Sequence, residues 1–334
     1  MSAAEELEKP WHLRGNLAPV FDEIDAFDLP VEGAIPPELH GRYLRNGPNP
    51  KSGTSPHWFL GNGMIHGVRI EGGKAVWYRN RYVKTPLLDD PGQPMVDASG
   101  NVDRRRSAAN THVISHAGRI FALEEGHFPF ELTPDLETAG YCDFGGKLAT
   151  AMTAHPKICP ETGELLFFGY SFRPPYVTYH RVDASGKLVQ SEPISVPGPT
   201  MHHDWNVTRN HVVFMDLPVC FDLQLAMKGT MPYRWTPEYG ARLGVMPRTG
   251  RDADVVWYEI EPCYVFHPMN AFEDGDRIVL DVSRYPHMWQ SDSDDFAIAR
   301  LWRFTIDRAA GKVIEEQLDD RACEFGRVAD RVVG

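Results

Sequence analysis

An all-β fold, and within it a β-propeller, is the prediction from this 334-residue sequence, and two observations carry it. Short apolar or β-branched runs flank turn residues again and again, the pattern of antiparallel hairpins. The turn centres, at positions 73, 118, 163, 210, 275 and 311, recur at about the forty-to-fifty-residue spacing of propeller blades, with one long insertion between the fourth and fifth. Helical periodicity is weak throughout, and residues 295–300 make at most one turn. A two-sheet sandwich or jelly roll alternates strands and turns in the same way and is the rival architecture.

The elements follow in chain order. Residues 1–40 are Pro-rich and lack helical periodicity, so they read as an extended segment that wraps the domain. The first hairpin joins His66-Gly67-Val68-Arg69-Ile70 to Ala75-Val76-Trp77-Tyr78 around Gly73. Residues 86–106 are polar and irregular, a long surface loop. The next hairpins turn at Gly118, at Gly163, at Arg209-Asn210, at Asp274-Gly275 and at Gly311. No flexible linker or low-complexity tract divides them, and residues 1–334 read as one domain.

Composition bounds the function. The chain carries 34 Lys+Arg against 46 Asp+Glu, a formal charge of −12, which opposes attraction to nucleic acid or anionic lipid. Cys142, Cys159, Cys220, Cys263 and Cys323 are odd in number and widely spaced, so neither a disulfide framework nor a zinc ribbon is encoded. The start, Met1-Ser2-Ala3-Ala4-Glu5-Glu6, has no signal-peptide character, and no apolar run reaches the roughly eighteen residues of a membrane span. A cytoplasmic protein is expected. Peripheral membrane contact through an apolar patch assembled from several loops stays open, because such a patch leaves no contiguous signal.

Three of the fourteen histidines stand at equivalent places. His155 in Thr153-Ala154-His155-Pro156, His203 in Met201-His202-His203-Asp204 and His267 in Val265-Phe266-His267-Pro268 each open the first strand of a hairpin. First strands of propeller blades line the central axis, so residues at one strand end on successive blades converge. Imidazoles from separate blades suit iron, zinc, copper or nickel and need no local His-x-x-His spacing. A ligating imidazole usually gives its second N–H to a carboxylate or carbonyl. Glu125, closing the strand Phe121-Ala122-Leu123, and Glu324, in Ala322-Cys323-Glu324-Phe325, are candidates, because an unpaired carboxylate among apolar neighbours is costly. Strand-end glutamates are also commonly just solvated.

The remaining signals are weaker. His57 and His66 flank a Gly-rich turn and read as structural. His112, His116, His127, His180, His202, His211 and His287 receive no function. Asp204 either supports a histidine or makes a local turn hydrogen bond. Trp58, Phe59, Tyr82, Phe172, Tyr176 and Trp205 belong to the core as a group, though a substrate tunnel would draw on the same residues. Nucleophile elbow, P-loop, dinucleotide fingerprint and His-Glu-x-x-His are all absent.

Longer motifs then identify a family. Gly41-Arg42-Tyr43-Leu44-Arg45-Asn46-Gly47-Pro48-Asn49-Pro50 and His57-Trp58-Phe59-Leu60-Gly61-Asn62-Gly63-Met64-Ile65-His66-Gly67 closely resemble the signature opening of carotenoid cleavage oxygenases. Thr153-Ala154-His155-Pro156, His203-Asp204 with Val212-Val213-Phe214-Met215-Asp216-Leu217-Pro218, and Phe266-His267-Pro268-Met269-Asn270-Ala271-Phe272-Glu273 resemble its three successive metal-histidine motifs. The resemblance implies a seven-bladed β-propeller holding a non-haem ferrous ion, Fe(2+), on four histidines, three of them bonded to glutamates. Glu125 and Glu324 stand where two of those glutamates are expected. The fourth histidine and third glutamate come from a last stretch without a counterpart here, so the propeller is expected to be C-terminally incomplete, its final blade missing. Asn62 replaces the Asp that many members carry.

That resemblance implies a dioxygenase that cleaves a conjugated carbon–carbon double bond of an apolar small molecule with O2, giving two carbonyl products. Relatives that cleave phenolic stilbenes typically place a lysine directly before the first supporting glutamate. Glu124 occupies that position and tilts the choice toward carotenoids or apocarotenoids. The opening Gly15-Asn16-Leu17-Ala18-Pro19-Val20 nevertheless resembles bacterial members loosely described as stilbene cleavers. Rivals from other classes are a lactonase-like metal hydrolase, which would include carboxylates among its ligands, and an inactive binding scaffold.

Overall fold

Left-handed turns close the hairpins where the sequence places them: Gly118 and Gly275, at φ of +74° and +58°, adopt a conformation that costs glycine little and other residues much. The computed structural model describes residues 9–291 and 296–329. Almost all of its regular structure is strand, in five four-stranded antiparallel sheets among the described residues, the repeat unit of a propeller.

Sheet 1 contains Asp25–Phe27, Gly41–Asn49, Asn62–Glu71 and Lys74–Tyr82. Sheet 2 contains His112–His116, Arg119–Leu123, Phe130–Leu132 and Thr138–Tyr141. Lys157–Ile158, Leu165–Tyr170, Val177–Val182 and Leu188–Ile194 form sheet 3. Asn206–Val207, His211–Asp216, Ala241–Pro247 and Val256–Ile260 form sheet 4. Sheet 5 is Tyr264–Asp274, Arg277–Tyr285, Arg300–Asp307 and Lys312–Ala322. Sheets 2 to 5 are simple meanders whose first strand lies at one edge. The long insertion falls within sheet 4, where Val219–Phe221 and Tyr233–Trp235 make a separate two-stranded ribbon around the short helix Leu223–Met227.

Several details differ from the sequence expectation. The hairpins at Gly275 and Gly311 both belong to sheet 5, so six turn centres correspond to five sheets. The turn at Gly73 joins the third and fourth strands of its sheet in chain order, not its first hairpin. Within the N-terminal segment, Asp25–Phe27 pairs with the outer edge of Lys74–Tyr82 and completes sheet 1. Residues 296–299 form no helix, and Asp295 lies outside the described residues. The irregular segment after Pro86 gathers around the buried Arg106, whose guanidinium donates to the carbonyls of Pro86 and Asp90 and to Gln93.

Two compact units divide the chain: Met1–Ala154 with Ile158–Leu165 and Val182–Val189, and His155–Lys157 with Leu166–Arg181 and Gln190–Gly334. In the first, Ile65, Trp77, Ala122, Phe130 and Leu132 form the core. There Gly63 explains part of the signature opening, because a Cβ on it would lie 2.0 Å from the Ala109 carbonyl oxygen. In the second unit Leu166, Phe168, Tyr179, Trp205, Val212 and Phe214 pack together, aromatic rings at tilted or edge contacts of the kind that add to burial. Of the six aromatics expected in the core, Tyr82 and Trp205 are there, 5% and 1% exposed, whereas Trp58 is exposed and Phe59, Phe172 and Tyr176 are only partly buried.

Sheets 4 and 5 are tied by Glu273. Its carboxylate accepts from the Thr208 hydroxyl, the Asn210 N–H and side-chain amide, and His211 Nδ1, while Arg308 donates to His211 Nε2 at 3.2 Å. Burial alone would raise the Glu273 pKa, but the bonds from Thr208, Asn210 and His211 bring it down to about 2. A carboxyl whose folded pKa is depressed contributes stability that is complete above its unfolded value and lost as pH falls through the folded one. Glu273→Gln should therefore lower unfolding free energy at pH 7, and the gap from wild type should close between about pH 5 and pH 2. Denaturant melts across that range would measure it, and a gap constant with pH would contradict the assignment.

Candidate metal centre

His155, His203 and His267 meet in the second unit. His155 Nε2 lies 3.0 Å from His203 Nε2, which lies 3.1 Å from His267 Nε2, and each residue offers a ligand atom within 4.8 Å of the others. Local structure explains the convergence. His155 and His203 stand two and three residues before the edge strands Lys157–Ile158 and Asn206–Val207, and His267 lies inside the edge strand Tyr264–Asp274. The proline after two of them has no N–H to offer a ladder and is tolerated at an edge. At Pro268 the pairing with Arg277–Tyr285 slips on both sides, and such bulges re-aim side chains.

Partners orient each ring. Glu324 Oε1 lies 2.8 Å from His267 Nδ1; accepting that N–H leaves the lone pair on Nε2, where the other imidazoles are. Phe325, next in sequence, stacks on the same ring at 4.2 Å between centroids, so consecutive residues hold His267 by its edge and its face. The Tyr285 hydroxyl is pushed up in pKa by burial and by the Glu324 carboxylate. Phe266 meets the His203 ring edge-on at 5.0 Å.

The donor set fits a transition metal. Nitrogens 3.0 and 3.1 Å apart are close enough for one ion to reach them at the usual imidazole–metal distance of about 2.1 Å. Three lone pairs crowded this closely repel unless a cation or a proton sits among them. Among the described residues no carboxylate belongs to the cluster, so a divalent ion held by these three imidazoles would keep its charge and open positions.

The structure brings together the three histidines and Glu324 that the sequence singled out. Glu125 is half-buried two residues beyond the strand Arg119–Leu123, in the other unit. Its neighbour Glu124 is committed locally: His127 Nδ1 lies 2.5 Å from Oε2, and the Gly126 N–H donates to Oε1 at 3.0 Å. Burial would raise the Glu124 pKa, but His127 and these hydrogen bonds hold it below the ordinary range. His66 meets the Tyr78 hydroxyl at 2.8 Å, and His180, which the sequence left without a function, is buried in the strand Val177–Val182 with Nδ1 2.9 Å from the Ser191 hydroxyl. Sequence reasoning missed the surroundings of His202. It lies 3.7 Å from a fully buried Asp216 that accepts from Thr200, Tyr239 and Arg242. Only the juxtaposition of two histidines signalled it.

Residues 17–334 match a family described as "Retinal pigment epithelial membrane protein". The chain is 41% identical to a carotenoid cleavage oxygenase of Mycobacterium tuberculosis, covering 99% of this chain and 76% of that relative. Among solved structures it resembles a lignostilbene dioxygenase of Pseudomonas brassicacearum, with a TM-score of 0.86 at 30% identity over 98% of this chain and 74% of the other. It also resembles a variant of the Synechocystis apocarotenoid oxygenase, with a TM-score of 0.81 at 27% identity over 95% and 74%.

Glu324→Gln should weaken divalent transition-metal binding about 10- to 100-fold, the usual effect of losing a carboxylate behind a ligating histidine. Titration of the apoprotein with Fe(II) against a competing chelator measures it. Unchanged affinity would remove Glu324 from the centre.

Proposed function

The chain belongs to the carotenoid cleavage oxygenase family and is an oxidoreductase acting on carbon–carbon double bonds; from that premise we propose that His155, His203 and His267 hold iron(II) and that the substrate is a carotenoid or apocarotenoid. The observation that carries this reading is the convergence of three Nε2 atoms at 3.0 and 3.1 Å, with no carboxylate in the cluster among the described residues. That donor set argues against the lactonase-like alternative. Bound there, iron(II) supplies the redox chemistry that makes O2 reactive toward an alkene.

The protein's own residues then have definable tasks. Glu324 keeps the His267 proton at Nδ1 and turns its lone pair inward. Phe325 and Phe266 set apolar surface against the His267 and His203 rings, which suits an apolar substrate. Glu125 holds its supporting role on its motif alone. Among the described residues no helix is long and apolar enough to cross a membrane.

Glu124 supports the carotenoid choice. Where a lysine would engage a phenol oxygen, this chain has a carboxylate held ionised and bonded to His127, and an anion repels a phenolate. The TM-score of 0.86 to a lignostilbene dioxygenase supports stilbene cleavage as the second reading.

Protein reconstituted anaerobically with Fe(II) and mixed with O2 and an apocarotenoid should consume O2 equimolar with substrate and release two carbonyl compounds, both oxygen atoms ending in the products. His203→Ala should retain no iron and consume no oxygen. Uptake with a phenolic stilbene but not with apocarotenoids would move the substrate class. No uptake with either would refute the enzymatic reading.

A further inference from the structure

His203 is carried by a segment, residues 201–205, that lies outside the strands of sheet 4. The Val219 carbonyl accepts from the Met201 N–H and holds the start of this segment, and side chains fix the part that follows His203. Asp204 is 5% exposed, and its Oδ1 accepts from Lys157 Nζ at 2.7 Å and from the Trp205 backbone N–H at 2.7 Å. The Trp205 indole N–H in turn donates to the His155 carbonyl at 3.1 Å. Lys157 stands two residues beyond His155, and Asp204 directly follows His203. One ion pair and one indole thus bind together two histidine-bearing segments that are 48 residues apart in sequence.

We propose that Asp204 is a positioning residue: through Lys157 and Trp205 it sets the separation of the His155 and His203 imidazoles, and with it the affinity and geometry of the metal centre. A local turn bond would need only the Trp205 N–H. It would not need a lysine from the neighbouring segment, nor an almost completely buried carboxylate whose desolvation must be offset by that partner. The second oxygen, Oδ2, lies 3.8 Å from His155 Nδ1, beyond hydrogen-bond length yet close enough for its charge to be felt. Asp204 consequently acts on His155 in two separable ways, as a tether through Lys157 and as a charge, and the tether is the role assigned to it.

Lys157→Met separates them. It removes the tether and leaves the Asp204 charge uncompensated, so a tether predicts weaker metal binding and a purely electrostatic role predicts tighter binding. Asp204→Asn keeps an acceptor for the Trp205 N–H and loses the ion pair. The apoprotein is titrated anaerobically with Co(II), read by its visible d–d bands. Wild type should bind, and each variant should bind about 10-fold more weakly or worse with shifted bands. The double variant should bind no worse than the weaker single one, because both changes delete one link. Lys157 is partly exposed, so Lys157→Met keeps the test open should Asp204→Asn fail to fold. Tighter or unchanged binding with unmoved bands in folded Lys157→Met would overturn the inference. The inference rests on reading the histidines as a metal centre; failure of wild type to bind Co(II) would overturn that reading instead.

Discussion

Three imidazole nitrogens, the middle one 3.0 Å from one neighbour and 3.1 Å from the other, form an arrangement that neutral histidines resist. Lone pairs facing each other repel, and a single proton can bridge only one pair at a time. A divalent cation among the nitrogens would make it favourable. Features around the centre orient the three rings. Glu324 fixes the His267 tautomer, Phe325 and Phe266 fix ring planes, and the Trp205 indole with the Lys157–Asp204 pair joins the backbones that carry His155 and His203.

The fold supplies this through edges. In sheets 3, 4 and 5 the first strand of each meander is the edge strand, and the histidines sit just before it or inside it. An edge frees backbone from ladder bonds on one side, which is what permits a proline beside His155 and His267 and a bulged strand at Pro268. Away from the centre, Glu273 fastens the turn at Asn210 to sheet 5. Glu273 thereby links sheet 4, whose first strand follows the His203 segment, to sheet 5, which carries His267.

Much of this is legible in the order of residues alone. Period-two runs around turn glycines announce the hairpins because strand periodicity and left-handed turns are local properties. The grouping of hairpins into sheets is not local, so the turns at Gly275 and Gly311 prove to share sheet 5. Asp25–Phe27 is illegible for a related reason: three residues in a proline-rich stretch become a strand only because Lys74–Tyr82 leaves an edge to pair with. Histidines in register and the Glu324 motif are readable as residues that belong together, and the structure brings them together. Lys157 carries no signal, since its meaning lies in a partner on another segment. The local turn bond expected of Asp204 is present, to the Trp205 N–H, but its bond to Lys157 depends on tertiary structure.

Imidazole coordination of iron is the central claim, and X-ray absorption at the iron edge of anaerobically loaded protein reads it directly. The spectrum should contain an outer-shell scattering pattern from at least three imidazoles, with nitrogen at about 2.1 Å. An iron environment of oxygen ligands only, or one with fewer than three imidazoles, would contradict it.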